Sequence, residues 1–301
     1  MCCTGRDGRV TKLRQKLERS GFLRIVEVFP PSFTAERDRE PLIGLRQKTR
    51  DFLERVKKIQ NLADVILVAD VKDLTRLKLG TVYAASMVQE EVGIEAVPVI
   101  TARDSNRPAI RSAVLTALSL GLDSLMFVWG DTYSEDNGAK NVYDYTGVGE
   151  MMREAGALFD RAGVRPTFFA PLDLATLDTP RGRRLAHSRL KSGAEYLLAQ
   201  PPTADVVHTF PSHMRTLRRR RLDSRVLLNV FPFRSLDDIE YCRKKFGWDV
   251  PHHLDAIAEK GGEPELLREA KRVVDRLRTV GSQGVYVSTR GRPELARFIL
   301  D

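Results

Sequence analysis

Cysteine is scarce in this chain: Cys2, Cys3 and Cys242 are the three among 301 residues. Two of them are adjacent and the third is remote, so they have neither the CxxC spacing of a chelating pair nor the number for a disulfide framework. Long apolar runs are also missing. No segment approaches the ~18 consecutive apolar residues of a membrane span, and the N-terminus has no signal-peptide succession of basic, apolar and small residues. No GxGxxG turn follows any strand candidate, which removes the phosphate cradle of a Rossmann unit. The five histidines, His187, His208, His213, His252 and His253, form no HExxH and read as surface or capping groups. Without internal repeats or a low-complexity linker, the expectation is one soluble, cytoplasmic, reduced domain with no metal site.

What is present is enough apolar content, 42%, for a large core, and a surplus of cations, 49 − 40 = +9. Such a surplus suits acidic ligands, whether phosphorylated or polyglutamylated small molecules or nucleic acid. The run Arg218 to Arg221 lies at the end of a helix candidate, where cations complement the macrodipole. Nucleic-acid binding is therefore not expected.

Short apolar runs alternate with amphipathic segments along the chain. "RIVEVF", "DVILVA", "EAVPVIT", "SLMFVWG", "RPTFFAP", "EYLLAQ", "RVLLNVF" and "GVYVST" read as strands. Helix candidates with 3.6-residue recurrence include Pro41 to Ile59, Leu79 to Glu91, Pro108 to Leu120, Val148 to Ala162, Arg181 to Ser192 and Glu265 to Val280. This alternation predicts an α/β fold, a single-domain (β/α)8 TIM barrel over residues 24–301, preceded by a basic helical surface cap over residues 1–23. A doubly wound sheet is the competing architecture.

Side chains alternate across a strand, so Ile25, Glu27 and Phe29 share one face of the first strand. A carboxylate among helix-facing apolar groups is costly, which places Glu27 inside the barrel near its mouth. The same parity groups Leu125, Phe127, Trp129 and Asp131 on the fourth strand, and Tyr196, Leu198 and Gln200 on the sixth. Polar side chains thus converge on the C-terminal face, where barrel enzymes do chemistry. From the residues alone, Glu27 reads either as a hydrogen-bonded core carboxylate or as a general acid whose pKa burial raises. Asp131 reads as a turn or helix cap after Gly130, or as a site residue, and Gln200 as a strand-end partner of backbone groups or a ligand contact.

In order along the chain, "EVFPP", "ITARDSNR", "WGD", "GAEYLLAQP" and "LLNVFPFRS" resemble the methylenetetrahydrofolate reductase family, from about Arg24 to the C-terminus. The resemblance covers the catalytic barrel. It implies an oxidoreductase of one-carbon metabolism that passes hydride from NADH or NADPH, through FAD at the mouth, to 5,10-methylenetetrahydrofolate or a related methylene-pterin. It implies that Glu27 is the general acid, that Asp131 stands beside pterin and flavin, and that Gln200 contacts folate. Thr101, Arg103 and Asp104, with Arg107, are candidate pyrophosphate contacts after the third strand, and Trp129 and Gly130 join the cofactor-binding group.

Several flavin-holding positions depart from the family pattern. Ala69 replaces a hydroxyl residue, Val99 a histidine, Trp129 an arginine, Ala170 and Leu172 an aromatic and an acid, and Gly182 an aspartate. The departures leave two further readings beside the flavoenzyme. One is a flavin-independent methylene-pterin reductase. The other is a partner-dependent subunit of a larger redox complex, whether as a homo-oligomer or with a redox partner.

Overall fold

A computed structural model describes residues 13, 21–34, 43–70, 76–133 and 140–301. The eight apolar runs are strands β1 (Leu23–Val28), β2 (Val65–Val68), β3 (Glu95–Thr101), β4 (Ser124–Val128), β5 (Thr167–Asp173), β6 (Ala194–Gln200), β7 (Val226–Val230) and β8 (Gly284–Val287). They form a closed barrel in which each strand pairs in parallel with its sequence neighbours and β8 returns to β1. The expected (β/α)8 barrel is the fold observed. All seven residues of β3 are buried, because a parallel sheet in a barrel meets helices on one face and its own interior on the other.

The longer helices are α1 (Ile43–Lys57), α2 (Thr81–Glu91), α3 (Arg107–Ser119), α4 (Val148–Arg161), α5 (Pro180–Lys191), α6 (Thr209–Arg220), α7 (Leu236–Phe246) and α8 (His253–Thr279), and a short one, Ala296–Leu300, follows β8. Their starts follow local chemistry. The Asn106 side chain accepts from the Ala109 N–H, Thr179 from Gly182 and Ser235 from Asp238, each satisfying a donor that the first turn leaves unpaired. The helix expected at Glu265–Val280 is the second part of α8, which begins at His253 and breaks at Gly262, where φ is 58° and ψ −153°. The Arg218–Arg221 run closes α6, and Arg219 and Arg220 both pair with Asp178.

Two apolar layers follow from strand parity. Val26, Val28, Ile66, Val68, Leu125, Phe127, Ala170 and Leu172 belong to the layer packed under the helices. Ile25, Leu67, Val99, Met126, Phe169, Tyr196, Leu198, Leu227 and Tyr286 fill the barrel. Leu13 is fully buried with this inner group, so that position is not part of a surface cap. The rest of the cap expected over residues 1–20 lies outside the described residues, as do Cys2 and Cys3. The fourth strand corrects the sequence reading: Leu125 and Phe127 face the helices, and Met126 with Val128 faces inward. His213 is likewise no surface group. It sits half-buried with Nδ1 2.9 Å from Thr203 Oγ1, and burial pushes its pKa down to about 4.

Two short pairings extend the C-terminal rim. Ser32–Thr34 lies antiparallel to Arg76–Lys78, and Asp104–Ser105 parallel to Val142–Tyr143. Among the described residues, no helix is long and apolar enough to cross a membrane.

Candidate active site

The strand ends enclose a cavity of about 780 Å3, within the usual range for small-molecule sites. Leu67, Val99, Met126 and Leu198 form its apolar floor. Of the residues singled out from the sequence, Glu27, Thr101, Arg103, Trp129, Gly130, Asp131 and Gln200 line it, and Asp104 does not.

Glu27 is a buried polar group of this set. It is 8% exposed, on the inward face of β1 beside Leu67. Tyr286 donates its hydroxyl to Glu27 Oε2, Ser288 donates to Oε1 at 3.0 Å, and Thr289 Oγ1 ties the Glu27 carbonyl at 2.7 Å. Burial raises the Glu27 pKa above its ordinary 4.5, against the lowering effect of the bonds from Tyr286, Ser288 and the Arg290 backbone. Desolvation disfavours the anion more than these donors stabilise it, so the group holds a proton further toward neutral pH than an exposed glutamate.

Asp131 reaches the mouth by a route that alternation does not describe. Gly130 follows β4 with φ +81°, a left-handed backbone that interrupts the pleat. A Cβ there would stand 2.6 Å from Thr101 Cγ2 and 2.9 Å from Arg103 Cβ. Glycine is required on both counts, and it turns Asp131 into the cavity. Trp129 packs against the helix-facing layer and stacks on Tyr143, with centroids 4.6 Å apart and planes at 11°. Tyr143 in turn donates to the Gly130 carbonyl at 3.0 Å. Gln200 does follow parity behind Tyr196 and Leu198, and its Oε1 is buried without a partner.

The residues after β3 are committed to one another. Arg103, 2% exposed, grips Asp104 through Nε at 3.0 Å and Nη2 at 2.5 Å, and lies 3.6 Å from Asp70. Lys78 holds the other Asp70 oxygen at 2.6 Å. Burial works against the Arg103 charge, but its acidic neighbours outweigh it and raise the pKa further. Arg107 is drawn away to Glu150 at 2.7 Å. Thr101 Oγ1 is buried with no partner at the edge of the cavity.

Two groups of site residues were not singled out from the sequence. Tyr286 on β8 and Ser288 just beyond its end follow the same parity that places Glu27, so the rule that found one end of the network also contained the other. The second group is an aromatic wall of Phe231, Tyr241, Phe246 and Trp248. Phe246 stacks on Trp248 at 4.7 Å, and Phe231 meets Trp248 edge-on. Its members come from the β7 end and from α7 with its following turn, and no local pattern announces their meeting.

The positions that depart from the family pattern do not offer a flavin the contacts of that pattern. Ala69 and Val99 offer the cavity no hydroxyl or imidazole. Ala170 and Leu172 face the helices. A side chain at Gly182 is excluded, because its Cβ would stand 2.1 Å from the Thr176 carbonyl oxygen. The cations expected to meet a pyrophosphate, Arg103 and Arg107, are bound to carboxylates.

No curated protein matches the chain. Among solved structures, it is similar to an uncharacterized protein from Clostridium thermocellum that binds two copies of 5-methyl-5,6,7,8-tetrahydrofolic acid. That likeness has a TM-score of 0.65 at 11% identity and covers 96% of this chain and 99% of that one. It is also similar to an oxaloacetate acetylhydrolase solved with 3,3-difluorooxalacetate, with a TM-score of 0.52 at 11% identity over 92% and 78% of the two chains. At these identities, the likenesses show the barrel fold. The family is shown by the sequence model of methylenetetrahydrofolate reductase, which matches residues 12–287, and the chain belongs to that family.

Proposed function

We propose that this chain reduces a 5,10-methylene-pterin of the folate type to its 5-methyl form, with hydride from a reduced nicotinamide nucleotide that shares the mouth. The observation that carries this reading is the buried Glu27 carboxyl, held by Tyr286 and Ser288 at the edge of an otherwise apolar floor. The methylene carbon bridges two nitrogens and is a poor hydride acceptor until one of them departs. Proton transfer from Glu27 to the N10 nitrogen breaks the N10–CH2 bond and leaves an iminium at N5. Hydride adds to that carbon, the nicotinamide becomes oxidised, and Glu27 regains its proton from solvent. One hydride and one proton are consumed per methyl group formed.

The other residues orient the ring. A pterin presents adjacent N–H donors and a carbonyl along one edge. Asp131 supplies acceptors for the donors, and the unpartnered Gln200 amide oxygen supplies another. The aromatic wall offers flat surfaces for stacking. The Clostridium thermocellum protein, which binds the 5-methyl product of this reaction, supports the choice of ligand. Direct transfer without flavin is favoured by the misfit at Gly182, Arg103 and Arg107.

The test is turnover by the isolated chain with methylenetetrahydrofolate and NADH or NADPH, with and without added FAD, beside Glu27→Gln. Activity without FAD and a loss of about 10²-fold or more in Glu27→Gln, with product binding retained, are expected. Full activity in Glu27→Gln refutes the assigned acid. Activity that appears only with a partner protein refutes the self-sufficient enzyme.

A further inference from the structure

Asn229 is an amide in a part of the barrel interior that is mostly apolar. On β7, Val226, Leu228 and Val230 pack under the helices while Leu227 fills the barrel, so parity turns the Asn229 side chain inward. It is fully buried, and among the described residues neither its amide nitrogen nor its amide oxygen has a hydrogen-bond partner. Such a carboxamide carries two donors and an acceptor, and burying them unpaired costs enough that native interiors seldom do it. A leucine would fill the position without that cost, as Leu198 and Leu227 do nearby. The side chain is not needed to hold the strand end either, since the Asn229 backbone carbonyl already accepts from the Thr203 N–H at 2.7 Å.

Strand register shows what this amide stands beside. β6 and β7 pair with Leu198 opposite Leu227, so the next inward residues along the two strands are Gln200 and Asn229. β7 and β8 pair with Asn229 opposite Tyr286, and the Tyr286 hydroxyl donates to Glu27 on β1. Four successive strands thus carry one inward polar arc of Gln200, Asn229, Tyr286 and Glu27. Three of its members line the main cavity, and Asn229 does not. A ligand in the mouth therefore meets the neighbours of Asn229 and not its carboxamide. Gln200 Oε1 is also buried and unpartnered, so the open hydrogen-bonding capacity of the arc lies on two adjacent strands, next to the residue that donates to the acid.

We propose that Asn229 is a positioning residue for the acid: its carboxamide seats buried water between Gln200 and Tyr286, and that water donates to the Tyr286 oxygen. Buried waters typically make about three hydrogen bonds to groups otherwise left unpaired, and this arc supplies them. Water accepts from the Asn229 N–H, donates to Tyr286, and serves the amide oxygens of Asn229 and Gln200; the Gln200 oxygen keeps a second lone pair for a pterin. A hydroxyl that accepts a hydrogen bond donates more strongly in turn. The seated water thus strengthens the Tyr286 bond to the Glu27 anion and opposes the rise that burial imposes on this carboxyl. The inference rests on the proposed reaction only in giving Glu27 its use as a proton donor.

The test is a pH titration of the Glu27 carboxyl in the ligand-free chain, read as the infrared carbonyl band that Glu27→Gln removes. The titratable and charged groups that share the cavity with Glu27 are Tyr286 beside it and Asp70, Arg103, Asp131, Tyr241 and Arg290 around the mouth. Asn229→Leu alters none of them. Its titration midpoint is nevertheless expected about half a pH unit above the parent's, and that of Tyr286→Phe higher still. Because Asn229 acts through the Tyr286 hydroxyl, adding Asn229→Leu to Tyr286→Phe should move the midpoint no further. Asn229→Ser, which leaves room and a hydroxyl for water, should stay closer to the parent. An unchanged midpoint in folded Asn229→Leu overturns the proposal, as do additive shifts in the double variant. A higher melting temperature as the only change in Asn229→Leu also overturns it, since that marks an orphan amide replaced by a better-packed side chain. If Asn229→Leu does not fold, a high-resolution crystal structure of the parent decides. Ordered water bonded to both Asn229 and Tyr286 supports the proposal, and a direct Asn229–Gln200 bond or no such water refutes it. None of these readouts uses turnover, so they stand apart from whether methylene-pterin is reduced.

Discussion

On the β3 side of the mouth, Arg103 is enclosed by Asp104 and Asp70, and Lys78 takes the remaining Asp70 oxygen. On the β7 and β8 side, Asp238 is the one carboxylate among the described residues that lines a small cavity beside the mouth with Arg234, Arg290 and Arg292. Both sides present arginine-rich sequence after a barrel strand, and both look equally suited to an anion when read as sequence. The difference lies in Asp70, a carboxylate brought from the end of β2 to join Asp104 on Arg103. Matched charge ties the first side of the rim together, and on the second side the lining cations outnumber the acid.

That contrast breaks most sharply on the matched side. Arg103→Gln leaves two carboxylates without their shared cation and is expected to destabilise the fold by about 2 to 3 kcal/mol, the low end for a broken buried pair since Asp104 is 38% exposed. A shifted urea midpoint measures it. Arg292→Gln on the surplus side is expected within about 0.5 kcal/mol of the parent. Equal losses from both variants would remove the distinction.

Gly130→Ala comes next. It forces a Cβ into Thr101 and Arg103 at a left-handed position, with an expected cost of about 1 to 3 kcal/mol. The accompanying shift of Asp131 should appear as weaker pterin binding, read by fluorescence. Alanine tolerated with unchanged binding would show that the turn does not aim Asp131.

The smallest expected effect is at the seam between the two sides. The Tyr286 bond lowers the Glu27 pKa, so Tyr286→Phe removes a stabiliser of the anion and should move the pKa further up. An acid works while protonated, and activity falls as pH rises through its pKa. The alkaline limb of kcat/KM is therefore expected at higher pH in Tyr286→Phe, with a loss of a few fold at the optimum. A limb that moves down, or stays, would show that Tyr286 does not tune Glu27. Stability follows the same sign. With a folded pKa above the ordinary 4.5, Glu27 binds more protons folded than unfolded as pH rises past 4.5, so its contribution to stability declines over that window. Glu27→Gln should flatten this decline in a series of melts.

The strands were legible because each is a short apolar run set off by turns, and Glu27 and Gln200 were placed correctly because their strands stay regular to the end. The fourth strand misled: Gly130 breaks the alternation, and Asp131 enters the mouth although its strand parity points to the helices. Arg103 misled for another reason. Its side chain reads as a phosphate contact until Asp70, contributed from the end of β2, is seen beside it.

By itself, the sequence determined the barrel, the strand that carries Glu27 and the strand that ends in Gln200, since periodicity and parity are local properties of the chain. Tertiary structure alone decided which cations are free, where Asp131 points, and that Tyr286, Ser288 and the aromatic wall share one mouth with Glu27. Charge compensation and ring stacking depend on residues far apart in sequence, and only closing the barrel sets those distances.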